Sequence, residues 1–301
     1  MLERAASTGP PFSFAQFSAL SQILWLASYP KSGNTWLRTF LGNVQEDGRV
    51  PFGINRLPEV SFSDARLSYY TEAAGRPMPT LTGPELAQLR PLVHRLLATA
   101  RPGVVPVKTH LVNATLDGVP TITPEVTAAA IYIVRNPLDV VVSFADHYGL
   151  PLDRAVRAIG YPELELKPGV DTVRQRIGDW SGHVRSWLAA SGLKMHVVRY
   201  EDMLASPART FGDILDFLGI AVDRERLRRA IRRSSFRVVA EQERQQGFVE
   251  KAAGAERFFR RGVAGGWRRE LPVELAEVII GQHGPVMRQM GYLTADGRPT
   301  T

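Results

Sequence analysis

The chain contains no cysteine. That excludes disulfides, cysteine-ligated metals and a thiol nucleophile, and it suits a reducing compartment. Long apolar runs are also missing. The most apolar early stretch, Phe17 to Ala27, is too short and too broken to span a bilayer. The first residues, Met1 to Ser7, lack the positive start and clean apolar core of a secretory leader. The expectation is a soluble, cytoplasmic protein with no membrane partner. No internal repeat is present, and neither is a Walker A pattern, G-x-x-x-x-G-K-[ST].

What is present is enough apolar residue for a sizeable core: 44% of 301 residues. Strand-like and helix-like stretches alternate, which predicts an α/β fold with one continuous sheet. The net charge of +7 suits an anionic ligand, a nucleic acid or an acidic surface. The densest basic run, Arg224 to Arg233, places Leu227, Ala230 and Ile231 at helical spacing. Its arginines therefore read as the solvated face of an amphipathic helix. No aromatics interleave with them, which argues against single-strand binding.

Strands are expected at 23–28, 104–107, 130–134 and 195–198. Helices are expected from Pro84 to Ala100 (kinked near Pro91), from Pro137 to about Tyr148, over 171–190, 207–218 and 223–233, and from Pro272 to Met290. Residues 46–83 read mostly as loops, 149–170 as a lid-sized irregular region, and 236–266 as a polar, mobile stretch, of which 237–257 is expected to be ordered by nucleotide. Four strand ends carry polar turns, which is where open α/β sheets hold their ligands.

The first of these turns is Tyr29-Pro30-Lys31-Ser32-Gly33-Asn34-Thr35-Trp36. Strand, tight loop and helix together present backbone N–H groups to an anion. Gly33 lets the backbone approach, Lys31 supplies a point charge, and Ser32, Asn34 and Thr35 supply short donors. The loop reads as a cradle for a phosphate-like group. The second turn is Lys108-Thr109-His110, where a cation beside the imidazole keeps it neutral and fit to act as a base. The third runs from Tyr132 to Ser143. There Arg135 and Ser143, two helical turns apart, suit a second phosphate; the plainer reading is an Arg135–Asp139 ion pair at the helix start, worth little on a surface. The fourth is Arg260-Arg261-Gly262 through Trp267-Arg268, two arginines on a glycine loop.

In this order the four segments resemble the soluble, cytosolic-type sulfotransferases that use 3′-phosphoadenosine 5′-phosphosulfate (PAPS). The first is similar to that family's Y-P-K-S-G-T-T-W, with Asn34 replacing a threonine. The second resembles its K-T-H, the third its 3′-phosphate motif, and the fourth its R-K-G-x-x-G-x-W-K. Tyr200 to Met203 and Ser234-Ser235-Phe236 resemble segments near the adenine. The resemblance implies one P-loop-like α/β domain over residues 1–301 (core about 23–290), with a central parallel sheet flanked by helices. It implies sulfuryl transfer from PAPS to a hydroxyl or amine of a small-molecule or natural-product acceptor, leaving adenosine 3′,5′-bisphosphate (PAP), with no metal and no nucleic-acid partner. By the same resemblance His110, Lys31 and Lys108 are catalytic. Lys31, Ser32, Gly33, Asn34, Thr35, Trp36, Arg135, Ser143, Tyr200, Ser235, Phe236, Arg260, Arg261 and Gly262 bind the nucleotide, with Trp36 and Phe236 about the adenine. Phe144, His147 and Tyr148 are expected near the floor of the acceptor pocket. Residues 268–277 are similar to the family's dimer motif, K-x-x-x-T-V-x-x-x-E, with Pro272 for its threonine, and imply a weak homodimer. The remaining alternatives are a P-loop nucleotide kinase and a basic nucleic-acid-binding protein.

Overall fold

A computed structural model of the chain describes residues 22–48, 50–76, 81–252 and 254–300. The N-terminal residues read for a leader lie outside these. Five strands form one parallel sheet: β1 (Gln22–Ser28), β2 (Phe62–Ser63), β3 (Val104–Thr109), β4 (Thr127–Val134) and β5 (Met195–Arg199). Their order is β2-β3-β1-β4-β5. Leu26 pairs with Lys108 of β3 and with Ile131 of β4, so three strand ends meet side by side.

Each central strand is apolar along most of its length because both of its faces are covered. Along β1, Ile23, Trp25 and Ala27 face one core, while Leu24 and Leu26 face the other. The first core takes Val93, Leu97, Trp180, Trp187, Ile279 and Met287. The second takes Leu37, Phe40, Leu41, Phe211 and Leu215. After β1 the chain crosses toward β2, whereas after β3 it crosses toward β4. Connections that leave in opposite directions open a crevice at the carboxyl ends of these strands.

Several expectations need correction. The described residues of 46–83 are not mostly loop. They hold the helices Leu57–Val60 and Leu67–Ala74 around β2, because Leu57, Val60, Tyr69 and Tyr70 are buried. The irregular region contains a helix, Leu152–Ile159, that buries Ala155, Val156 and Ile159. The helix expected over 171–190 spans only Trp180–Leu188. Gln175–Arg176 instead pair as a short strand with Glu165–Leu166, and Gly178, at φ +67°, breaks the run. Phe236–Gln246 is a helix rather than a loose polar stretch. Val239 is buried, and the Glu243 carboxylate accepts from the amides of Phe258 and Phe259 at 2.6 and 2.9 Å.

The arginines of the Arg224–Arg233 helix are not all solvated. Arg226 donates to the Val44 carbonyl at 2.6 Å, Arg229 pairs with Asp47 at 3.0 Å, and Arg233 donates to the Gly48 carbonyl. They neutralise the carboxyl end of the Asn34–Glu46 helix, where the last carbonyls lack helical partners. No helix among the described residues is long and apolar enough to cross a membrane.

Candidate active site

A cavity of about 2120 Å³ lies over the carboxyl ends of β3, β1 and β4. The first turn forms its floor. Gly33 has φ +106°, and a Cβ there would sit 2.7 Å from the Tyr200 ring, so only glycine fits. Lys31 also takes a positive φ, +68°. Together they fold the backbone tightly into the Asn34–Glu46 helix, whose amino end has no side-chain cap. Such an end favours an anion. Asn34 ties the loop back by donating to the Leu26 carbonyl at 2.8 Å. The buried Ser32 Oγ, Asn34 Oδ1 and Trp36 Nε1 have no hydrogen-bond partner. Buried polar atoms are seldom left this way, so the loop presents unused capacity for a ligand.

Arg135 stands at the end of β4 and joins three of the motifs. It donates to the Lys31 carbonyl and to the Val263 carbonyl, both at 3.1 Å, and its guanidinium lies 4.2 Å from the Tyr200 ring centroid. The Arg135–Asp139 ion pair is not what Asp139 makes. Asp139 turns to the glycine loop and accepts from the amides of Gly265 at 2.7 Å and Trp267 at 3.0 Å. Glu201 braces the same turn, accepting from the Asn136 amide at 3.0 Å and from the Tyr292 hydroxyl at 2.9 Å. Ser143, Ser235 and Phe236 line the cavity. Gly262, at φ +63°, passes so close under Phe236 that a Cβ would overlap the ring. Arg260 and Arg261 also line the cavity, but both turn toward Glu270. Trp36 packs edge-on against Tyr200 and Phe211.

His110 Nδ1 lies 2.8 Å from the Ser28 carbonyl. A carbonyl only accepts, so Nδ1 carries the proton and Nε2 keeps its lone pair. Burial, with Lys108 adding to it, pushes this imidazole down to about 3. The ring is thus neutral over the ordinary pH range, with the lone pair of Nε2 unprotonated. A second histidine holds the turn from behind. His183 Nε2 donates to the His110 carbonyl at 3.2 Å, which leaves its Nδ1 to accept from the Tyr132 hydroxyl at 2.9 Å. Trp187 Nε1 donates to the Leu111 carbonyl at 3.1 Å. Lys31 stands over the Phe258 ring at 4.0 Å, and burial, then Arg135, lowers its ammonium to about 7. Lys108 donates to Glu250 at 3.1 Å. Phe144, His147 and Tyr148 also line the cavity, with Phe62 and Tyr69 from the residues read as loop.

The structure therefore gathers the sequence-predicted residues around one cavity, with Ser32 buried just beneath it. Sequence reasoning missed Arg38, Glu250, Asp139 as a loop clamp, and the Tyr132–His183 brace. Among the described residues no group of three or more His, Asp or Glu side chains is placed to hold a metal ion.

A family model for the sulfotransferase domain matches residues 21–291. The chain belongs to the sulfotransferase domain family. It is 28% identical to sulfotransferase 1A1 of Bos taurus over 304 residues, covering 94% of this chain and 88% of that one. It is also 28% identical to sulfotransferase 2A6 of Rattus norvegicus over 268 residues, covering 87% and 83%. In fold it is similar to mouse sulfotransferase SULT7A1, whose crystal structure is complexed with PAP. The TM-score is 0.60 at 21% identity, covering 93% of this chain and 88% of that one. Retinol dehydratase in complex with androsterone and inactive cofactor PAP gives a TM-score of 0.59 at 18% identity, covering 93% and 84%. In this sulfotransferase the four polar turns converge although they lie far apart in sequence.

Proposed function

We propose that this sulfotransferase moves a sulfuryl group from PAPS to a hydroxyl, or an amine, of a small-molecule acceptor, with His110 as general base. The observation that carries this reading is the neutral His110 ring. Its free Nε2 stands beside Lys108, in the same cavity as a loop whose buried polar atoms lack partners. The residues fit the nucleotide. Gly33 and Gly262 bring the backbone of their loops tightly under the Tyr200 and Phe236 rings, and Lys31, Arg135 and Ser143 supply cations and a hydroxyl for two separate phosphates.

Bound PAPS would supply an activated sulfuryl group with a phosphate leaving group. His110 Nε2 takes the acceptor proton as the acceptor oxygen attacks. Lys108 would face the sulfuryl oxygens, and Lys31 with the loop amides would offset charge on the leaving phosphate. Fixed donors aimed at developing charge are often the largest catalytic contribution. Phe62, Tyr69, Phe144, His147 and Tyr148 line an aromatic acceptor side that suits a phenol or other ring-bearing alcohol. A panel of such acceptors incubated with sulfur-labelled PAPS tests the reading. Label is expected on an acceptor together with stoichiometric PAP; label released only as free sulfate would reject acceptor transfer.

Lys31 gives this reading a pH signature. An ammonium lowered to about 7 loses its proton as pH rises above that value. Bound phosphate favours the charged form, so PAP binding takes up a proton. Affinity is expected to fall between pH 7 and pH 9, by at most roughly tenfold per unit. Calorimetry in two buffers of different ionisation heat reads the uptake directly. Lys31→Arg, which stays charged, should abolish it.

A weak homodimer through residues 268–277 is part of the same proposal. Val273 is 68% exposed where the Val273–Gln289 helix begins, and Glu277 is exposed one turn on. A patch this short should give modest affinity. Light scattering over a concentration series should show mass rising toward a dimer and Val273→Glu returning the monomer. A monomer at high micromolar concentration would end the idea.

A further inference from the structure

Glu250 lies outside every motif, yet its carboxylate sits in the cavity beside the cation expected to face the transferred group. It accepts from Arg38 Nη1 at 2.8 and 3.0 Å and from Lys108 Nζ at 3.1 Å. Arg38 itself is fixed: its side chain is 2% exposed, and its Nε donates to Ser61 Oγ at 2.8 Å. Glu250 is not on a loose strand. Asn55 grips the segment on both sides, donating to the Gly247 carbonyl at 3.2 Å and accepting from the Val249 amide at 3.0 Å. Phe248 is buried against Phe258 and Phe259. Burial alone would push the Glu250 carboxyl up, but Lys108 and Arg38 outweigh it and hold it well below the usual carboxylate range. The group is a fixed anion.

A fixed anion inside a cavity built for an anionic donor works against ground-state binding. Like charges held close in a partly buried site repel more strongly than in water. What the arrangement supplies in return is placement. The ammonium of Lys108 is a flexible point charge on a four-carbon stem. The chain Arg38–Glu250–Lys108 fixes it while leaving further N–H groups unspent, since a lysine has three.

We propose that Glu250 is a positioning residue for Lys108, which it aims at the transferred sulfuryl group at the expense of affinity for the sulfated donor. The proposal rests on the reading of Lys108 as the cation facing that group. It makes a difference between two ligands the signature. Bound PAPS would bring a sulfuryl group toward Lys108 and so toward Glu250, and PAP would not.

The test is calorimetric binding of PAPS (without acceptor) and of PAP to the full chain, with turnover measured alongside. Glu250→Gln keeps the shape and removes the charge. PAPS should bind about tenfold tighter to it, the size of one charged contact in a partly buried site. PAP should change by less than about threefold, and turnover should fall by about tenfold or more. This opposite movement of donor affinity and turnover is not what loss of a merely structural residue gives. Glu250→Asp withdraws the carboxylate from Lys108 while keeping a partner for Arg38. It should shift the PAPS-to-PAP ratio in the same direction and serves if the glutamine variant does not fold. An unchanged ratio, a ratio moved toward weaker PAPS binding, or wild-type turnover overturns the proposal. Lys108→Met separates the two readings. If it leaves the PAPS-to-PAP ratio at the wild-type value, the reading of Lys108 itself has failed, whatever Glu250 does.

Discussion

Replacing His110 by alanine is expected to lower turnover by ~10²–10⁴-fold, the usual range for a positioned general base, while PAP affinity changes little. The physical reason is separation of roles. His110 Nδ1 is spent on the Ser28 carbonyl, which leaves Nε2 for the proton transfer proposed in the cavity that His110 lines. The anion loop depends on Gly33, Lys31 and the helix amides instead. Turnover and PAP binding, measured on the same preparation, give the split. Activity within a few fold of wild type would remove His110 from the mechanism. A parallel loss of PAP binding would make it a structural residue of the loop.

Removing the Arg135 guanidinium should distinguish two nucleotides. A charge-assisted hydrogen bond to a phosphate is worth about 1.5–3 kcal/mol, or roughly 10–100-fold in affinity. Arg135→Ala should therefore weaken PAP far more than its 3′-dephosphorylated analogue. Ser143→Ala should do the same by a smaller factor. Arg135 also braces the loop through the Lys31 and Val263 carbonyls, so some loss is expected for both ligands. The informative quantity is the ratio. Equal loss for PAP and for the analogue would show that Arg135 holds the loop and does not read the 3′-phosphate.

The parts of this site legible in the sequence are those with short-range causes. Lys31 to Trp36 announce themselves because a tight strand-to-helix turn needs glycine and short donors in a fixed order. The buried strands β1 and β4 are legible as near-continuous apolar runs. The Arg224–Arg233 helix is legible by its period, but its docking arginines are not, because their partners, two carbonyls and the Asp47 carboxylate, lie nearly two hundred residues away in sequence. Asp139 shows the same limit. Four residues after Arg135, it fits a helical ion pair, and only the folded chain shows it taken by the amides of Gly265 and Trp267. Glu250 had no local signal at all, since a glutamate in a polar segment is ordinary. Its meaning comes from Arg38 and Lys108. The residues over 46–83 were obscured by their prolines and glycines, yet the aromatic rings among them, Phe62 and Tyr69, line the cavity.

Binding of PAP, ATP–magnesium and duplex DNA, each followed by the shift in melting temperature, with chelator added to the PAP sample, tests the central claim most directly. A ligand at about 100 times its dissociation constant stabilises the folded chain by about 2.7 kcal/mol. The account predicts this kind of shift from PAP without any metal, and little or none from the other two. A shift from ATP–magnesium or DNA, with PAP silent, would contradict it.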